Sequence, residues 1–400
     1  MTQIHIATIA EPARDKARPT LFERGFRPFF FGAAVFAAVA IPIWVAWLHV
    51  GWMPPSALDG RQWHIHEMVF GFVTAVIGGF LLTAIPNWTG RLPIAGWRLA
   101  VLFGLWLAGR AAMMLSGYAP AVAAAIDSAF LVVLALVALR EVVASRNLRN
   151  LPVCAAVSIL ALSNIGFHIT VLGGADAGLF ERLSLGVIAV LIMLIGGRIV
   201  PSFTRNWMLK QKMTALPAAF GAVDKAAMLL GGVAVLTWIA LPETQVTGVL
   251  FALGAFALTV RLVRWRGWAT ARDPLVLILH VGYAWLPVWQ ALMALAIFAP
   301  RVFDSATAMH ALTAGAAGTM TLAVMTRASL GHSGRPLTAN RLTSIVYLLV
   351  IAGAVTRLLV PLFPAAYLSV IGISGTVWAA GFALFALGYA GILLKPRRRT

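Results

Sequence analysis

Trp63-His-Ile-His66-Glu-Met-Val-Phe-Gly71-Phe-Val-Thr-Ala-Val-Ile-Gly-Gly-Phe-Leu-Leu-Thr83-Ala-Ile-Pro86 decides the fold class of this chain. Residues 62–86 are long and apolar enough to cross about 30 Å of hydrocarbon, which takes roughly 20 helical residues. Two histidines and a glutamate nevertheless stand at one end of the run. Insertion of an ionisable side chain at mid-helix costs about 2.5–3.5 kcal/mol, so each such residue calls for a function or a partner. The stretch reads as a transmembrane helix with chemistry at one end.

Eleven further runs of the same kind lie near 28–50, 97–116, 120–140, 151–172, 178–200, 218–240, 245–262, 274–298, 306–328, 341–362 and 365–394. The fold class is therefore all-α, a polytopic membrane protein of about twelve helices. The composition agrees: 61% of the 400 residues are hydrophobic and only 11% charged, far from a soluble domain. A formal charge of +18 suggests nucleic acid at first sight, but the basic residues form short strips between apolar runs rather than one patch, so no nucleic-acid partner is expected. Topology accounts for them instead. With the spans alternating, 25 of the 31 Lys and Arg fall on the side of the N-terminus and three, Arg61, Arg182 and Arg301, on the other, with Arg110, Lys225 and Arg357 inside spans. The positive-inside rule then predicts N-in and C-in. The expected organisation is a cytoplasmic tail at 1–27, one membrane domain at 28–394 and a basic tail at 395–400. No apolar signal segment is read in the first 27 residues. The single cysteine, Cys154, excludes a disulfide framework, and without Cys-x-x-Cys-His any haem is held non-covalently, as a b-type group.

An internal repeat emerges from three ungapped segments, His66-Glu-Met-Val-Phe-Gly71, Glu181-Arg-Leu-Ser-Leu-Gly186 and His310-Ala-Leu-Thr-Ala-Gly315, in helices 2, 6 and 10. Twelve residues beyond each glycine stand Thr83, Arg198 and Arg327. Pro28, Pro152 and Pro274 open helices 1, 5 and 9, where a missing N–H costs little. Three four-helix units are expected.

Five of the eight histidines, His49, His64, His66, His168 and His310, fall near the far ends of their helices, opposite the basic side. Imidazole is a common metal ligand and the usual axial ligand of non-covalent haem, so His66 and His310, at matched repeat positions, lead the candidates for haem or copper. His64 and His168 follow. Residues two apart on a helix point about 200° apart, so His64 and His66 face one site only if the helix begins between them. His280 stands apart and is a candidate for a second metal, while His332, in Gly331-His-Ser-Gly-Arg335, is a candidate ligand on a cytoplasmic loop. His49 reads as a headgroup-level residue. For the others the ordinary alternative is a helix-to-helix hydrogen bond. Arg198 and Arg327 enter the membrane from the basic side and suit haem propionates, a quinone headgroup or a lipid phosphate, with snorkelling as the alternative. Glu67, Asp127 and Glu181 are the intramembrane carboxylates a proton path would use, with pairing to Arg182 as the other role for Glu181.

Five ordered motifs resemble the NnrS family: Arg24-Gly-Phe-Arg-Pro-Phe-Phe30, Trp63-His-Ile-His-Glu-Met68, Pro86-Asn-Trp-Thr-Gly-Arg91, Gly196-Gly-Arg-Ile-Val-Pro201 with Phe203-Thr-Arg-Asn-Trp207, and Met325-Thr-Arg-Ala-Ser-Leu-Gly-His-Ser-Gly-Arg-Pro336. They span about residues 21–340. The resemblance implies a bacterial inner-membrane protein that contains haem and copper and is associated with denitrification and nitric oxide tolerance. It does not say which residues are ligands. The expected partners are nitric oxide or a related small ligand and the lipid bilayer, and no motif names an electron donor. Twelve helices in three arcs are also similar to haem-copper oxidase subunit I. Ala308 stands where that family has the first histidine of a His-x-His pair, and its His-His pair and His-x-x-x-Tyr are absent, so oxygen reduction is not implied. Oxidoreductase chemistry on nitric oxide stays open. So do two alternatives, a secondary transporter of a metal or small anion and an assembly factor delivering copper or haem to a nitric-oxide enzyme.

Overall fold

A computed structural model describes residues 19–396. The tails expected at 1–27 and 395–400 lie, through residue 18 and from residue 397, outside the described residues. Among those described, every long element is a helix and twelve are long and apolar enough to span a bilayer: α1 Phe26–Val50, α2 Gly60–Thr89, α3 Trp97–Met114, α4 Pro120–Ala144, α5 Leu148–Leu172, α6 Gly178–Lys210, α7 Ala222–Ala240, α8 Gln245–Val263, α9 Pro274–Phe298, α10 Ser305–His332, α11 Arg341–Leu362 and α12 Pro364–Leu393. The chain is a multi-pass membrane protein. In hydrocarbon every backbone N–H and C=O needs an internal partner, which a helix supplies along its length.

Local sequence sets the helix ends. Asp59 opens α2 through a capping box, accepting from the Gln62 backbone N–H at 2.8 Å while Gln62 Oε1 takes the Asp59 N–H at 3.2 Å. Asp304 caps α10, accepting from Thr307 N–H at 2.7 Å. Gly51 and Gly90 close α1 and α2 with φ of 69° and 68°, the left-handed conformation that glycine adopts at no steric cost. Helix α6 runs ten residues past the boundary expected at 200 and keeps Pro201 inside it.

Sequential helices pack as neighbours and α12 returns to α1, so the bundle closes on itself. Arg27 fastens that closure: buried at the start of α1, its Nη1 donates to the carbonyls of Ile392, Leu393 and Lys395 at 3.3, 2.8 and 2.8 Å, at and just beyond the end of α12. Helices α2, α6 and α10 meet inside the bundle. The outer helices turn Leu136, Leu162, Leu236, Phe256, Leu348 and Leu387 outward, which is an aggregation hazard in water and the required surface in lipid.

Helices α2, α6 and α10 each contain a π-helical turn, at Glu67–Val73, Ile192–Gly196 and Ala311–Ala317. Those in α2 and α10 begin on the residue after His66 and after His310, in the same register as the sequence repeat. That in α6 begins eleven residues after Glu181, out of that register. A π turn inserts one residue and rotates the face presented beyond it, and such turns occur frequently at functional sites.

Candidate functional site

The histidines near the far face sort into two sets, and α2 divides them. His66 is fully buried and points toward α4 and α5. His64, about 200° away on the same helix, points into a cavity shared with α10.

The first set is a packed polar cluster. His66 Nε2 lies 3.1 Å from Asp127 Oδ2, 3.1 Å from Asn164 Oδ1 and 3.2 Å from His168 Nε2, and His168 Nε2 lies 2.9 Å from Asp127 Oδ2. On its other side His66 Nδ1–H donates to Glu67 Oε1 at 2.9 Å. Arg110, from α3, binds both carboxylates: Nη1 donates to Glu67 Oε1 at 2.6 Å, and Nη2 to Asp127 Oδ1. All six side chains are buried. The Trp106 indole N–H, bonded to the Gly71 carbonyl at 2.9 Å, ties α3 to the π turn of α2 beneath them.

This arrangement prepares a cation site. With Nδ1–H given to Glu67, neutral His66 has a lone pair on Nε2, and that lone pair faces two oxygens that are themselves acceptors. Asn164 Nδ2 donates to Asp127 Oδ2 at 2.8 Å, which fixes its Oδ1 toward His66. Glu67, Asp127 and Arg110 together carry a formal charge of −1. One positive charge at the convergence point completes the cluster, either a proton on His66 Nε2 or a metal ion. The spacing approaches that of a metal site. A tetrahedral ion with bonds of about 2.0–2.2 Å holds its donors about 3.3–3.6 Å apart, somewhat wider than the 2.9–3.2 Å among His66 Nε2, His168 Nε2 and Asp127 Oδ2. These three residues also form the one compact candidate metal-ligand group among the described residues. Glu67 on the far nitrogen of His66 is the carboxylate-histidine arrangement that orients a ligating imidazole. Two imidazoles and a carboxylate suit copper, zinc or iron.

The second set lines a cavity whose walls come from α1, α2, α6, α10, α11 and α12. His64 and His310 enter it from α2 and α10, amid apolar residues such as Val69, Phe72, Ile188 and Trp378, and Arg357 enters from α11. His310 Nδ1–H donates to the Ala306 carbonyl at 2.7 Å, which leaves the Nε2 lone pair unused. His64 stacks on Trp44 with ring centroids 4.2 Å apart, and its buried Nδ1 has no partner. A mainly apolar pocket entered by two imidazoles has the chemistry to hold a non-covalent haem: lone pairs for iron, apolar walls and an orphaned ring nitrogen. A second, mainly apolar cavity adjoins it through Val73, Ile188 and Ala317.

The structure brings His66 together with His168 and sets His64 and His310 on one cavity. Matched positions on two helices of a ring do not face each other, and the residue two places back on α2 is the one turned toward α10. The remaining candidates fall outside both sets. His280 Nε2 bonds Thr204 Oγ1 at 2.7 Å, between α9 and α6 and away from any other metal ligand group among the described residues. His332 is the last residue of α10 rather than a loop residue, its ring 5.7 Å from that of Phe26. His49 is exposed, with Nδ1–H given to the Val45 carbonyl at 2.9 Å. Arg198 is exposed, and Arg327 lies over the Phe203 ring at 4.0 Å; neither lines the histidine cavity. Seventeen residues of helix, about 25 Å, separate Arg327 from His310. Glu181 pairs with Arg61, at 2.8 and 3.2 Å, rather than with the adjacent Arg182. Arg110 and Arg357 were legible as in-span charges without a role, and Asn164 carried no signal of its own.

Comparison with known proteins bears on this geometry at one point. The family profile described as NnrS protein matches residues 20–397, nearly the whole chain. The chain belongs to the NnrS family. The match reaches beyond the motifs of residues 21–340, through α11 and α12, and so takes in Arg357 and the α12 wall of the cavity. No curated protein matches the chain.

Proposed function

We propose that this NnrS-family protein binds haem b between His64 and His310 and copper between His66, Asp127 and His168, and that it acts on nitric oxide or in nitrosative-stress tolerance. The carrying observation is the division of four far-side histidines into two sites of different chemistry, one a mainly apolar cavity and the other a tight anionic cluster. When bound, haem iron and copper supply one-electron redox chemistry and coordination of a small diatomic ligand. The chain's own residues do the rest. Glu67 orients the His66 ring, Arg110 holds both carboxylates in place, and the apolar walls exclude water. Copper fits the donor set, and as a monovalent ion it neutralises the cluster's −1 charge.

In this reading the bundle is three four-helix units akin to haem-copper oxidase subunit I, N-in and C-in in a bacterial inner membrane. The aligned π turns of α2 and α10 support the repeat, and the distribution of Lys and Arg supports the orientation. Transport of a metal or anion calls for a polar path, whereas the adjoining cavity has mainly apolar walls. Delivery of metal to another enzyme calls for accessible ligands, whereas His66, Asp127 and His168 are buried.

The test is an optical spectrum of detergent-purified protein, reduced minus oxidised, with iron and copper quantified on the same sample and nitric oxide then added. A Soret band with stoichiometric metal and a shift on nitric oxide is the expected result. A colourless, metal-free protein from haem-replete cells refutes the proposal.

A further inference from the structure

Four arginines are buried among the described residues, and three have partners inside the protein. Arg27 holds the end of α12, Arg110 holds Glu67 and Asp127, and Arg261 donates to Asp224 Oδ1 at 3.1 Å and to the Tyr283 hydroxyl at 2.8 Å. Arg357 is the exception. It is 8% exposed, makes no ion pair among the described residues, and its Nε and Nη1 have no partner. The acid that influences it, Asp304, is committed to the cap of α10. A buried guanidinium left unpaired is costly, and a planar fork of donors facing a cavity is the arrangement that receives a carboxylate.

We infer that Arg357 is the anion anchor of the His64/His310 cavity and pairs with a carboxylate of its occupant, which on the haem reading is a propionate. The ligand class is an amphipathic planar carboxylate: apolar body against Phe72, Ile188 and Trp378, acid toward Arg357. The placement is consistent in depth. Arg357 stands five residues from the far end of α11, His310 five from the start of α10, and His64 four from the start of α2. The occupant's acid therefore lies level with the two imidazoles, at the far-side end of the helices and away from Arg198 and Arg327. The inference rests on the haem reading, and the experiment separates the two.

Protein purified from haem-limited cells is loaded with haem b or with its dimethyl ester, which keeps the macrocycle and iron but carries no carboxylate. Release to excess apomyoglobin is then timed for wild type, Arg357→Gln and Arg357→Lys, with copper content as the check that each variant is folded. Wild type is expected to release the ester about 10- to 100-fold faster than haem b, the range for loss of a charged hydrogen-bonded contact. Arg357→Gln is expected to release both at one rate, and Arg357→Lys to fall between. Equal release of haem b and ester from wild type overturns the inference without any variant, as does Arg357→Gln retaining the preference. Wild-type protein that binds neither porphyrin overturns the haem reading and this inference with it.

Discussion

Glu67→Gln is the substitution that most sharply tests the cation cluster. Glu67 Oε1 accepts from His66 Nδ1–H at 2.9 Å and from Arg110 Nη1 at 2.6 Å, and glutamine presents an oxygen in the same place. Shape and hydrogen bonds persist while one negative charge is removed, so the formal charge of the cluster rises from −1 to 0. Outer partners of a metal-bound histidine contribute about 10- to 100-fold in affinity, which is about 1.4–2.8 kcal/mol. The site is buried and the lost charge is fully desolvated, so the effect belongs at the upper end of that range. Competition of purified protein against a Cu(I) chelator of known affinity measures it, with haem content followed in the same sample. The expected outcome is copper bound about 100-fold more weakly with haem unchanged. Copper affinity within about threefold of wild type would refute the reasoning that Glu67 orients and charges this site.

Three further outcomes follow from other contacts. Gly71→Ala places a Cβ 2.6 Å from Arg110 Nη1 and 2.9 Å from the Phe36 ring, so it should lower copper occupancy by displacing Arg110, without touching a ligand; metal analysis of the purified variant checks it. Arg27→Ala removes the donor to three carbonyls that joins α1 to α12, and should cost at least about 2 kcal/mol, read as a lower unfolding midpoint in detergent. Arg61→Ala breaks the pair with Glu181, but Arg61 is 65% exposed, so the same assay should show less than about 1 kcal/mol.

The helices were legible because a bilayer imposes a length and a polarity on every span, and those rules act on local sequence. Span ends fell mostly within four residues of the structure, and α6 ran longer because Arg205, Lys210 and Pro201 are tolerated where a helix leaves the hydrocarbon. Of the candidate site, four histidines were legible, whereas their grouping and the parts of Arg110, Asn164 and Arg357 were not. Histidines at the far ends of α2, α5 and α10 stood out because polar groups are costly there. Which of them face one another depends on the rotation of each helix about its axis, which tertiary packing sets and no residue type announces. The spacing of His64 and His66 did say that they face apart, and the structure gives each its own set. Arginines were the other gap. Arg198 and Arg327 lie at the basic face, where snorkelling suffices, while Arg110 and Arg357 are buried inside the protein, where a partner or a ligand compensates their charge.

The most direct test of two separate sites is a cofactor inventory of four single variants, His64→Ala, His310→Ala, His66→Ala and His168→Ala, each purified from haem- and copper-replete cells with both cofactors quantified per chain. The account predicts a crossed result: the first two lose haem and keep copper, and the last two lose copper and keep haem. Loss of the same cofactor from His66→Ala and His310→Ala, with His64→Ala and His168→Ala retaining both, would contradict it.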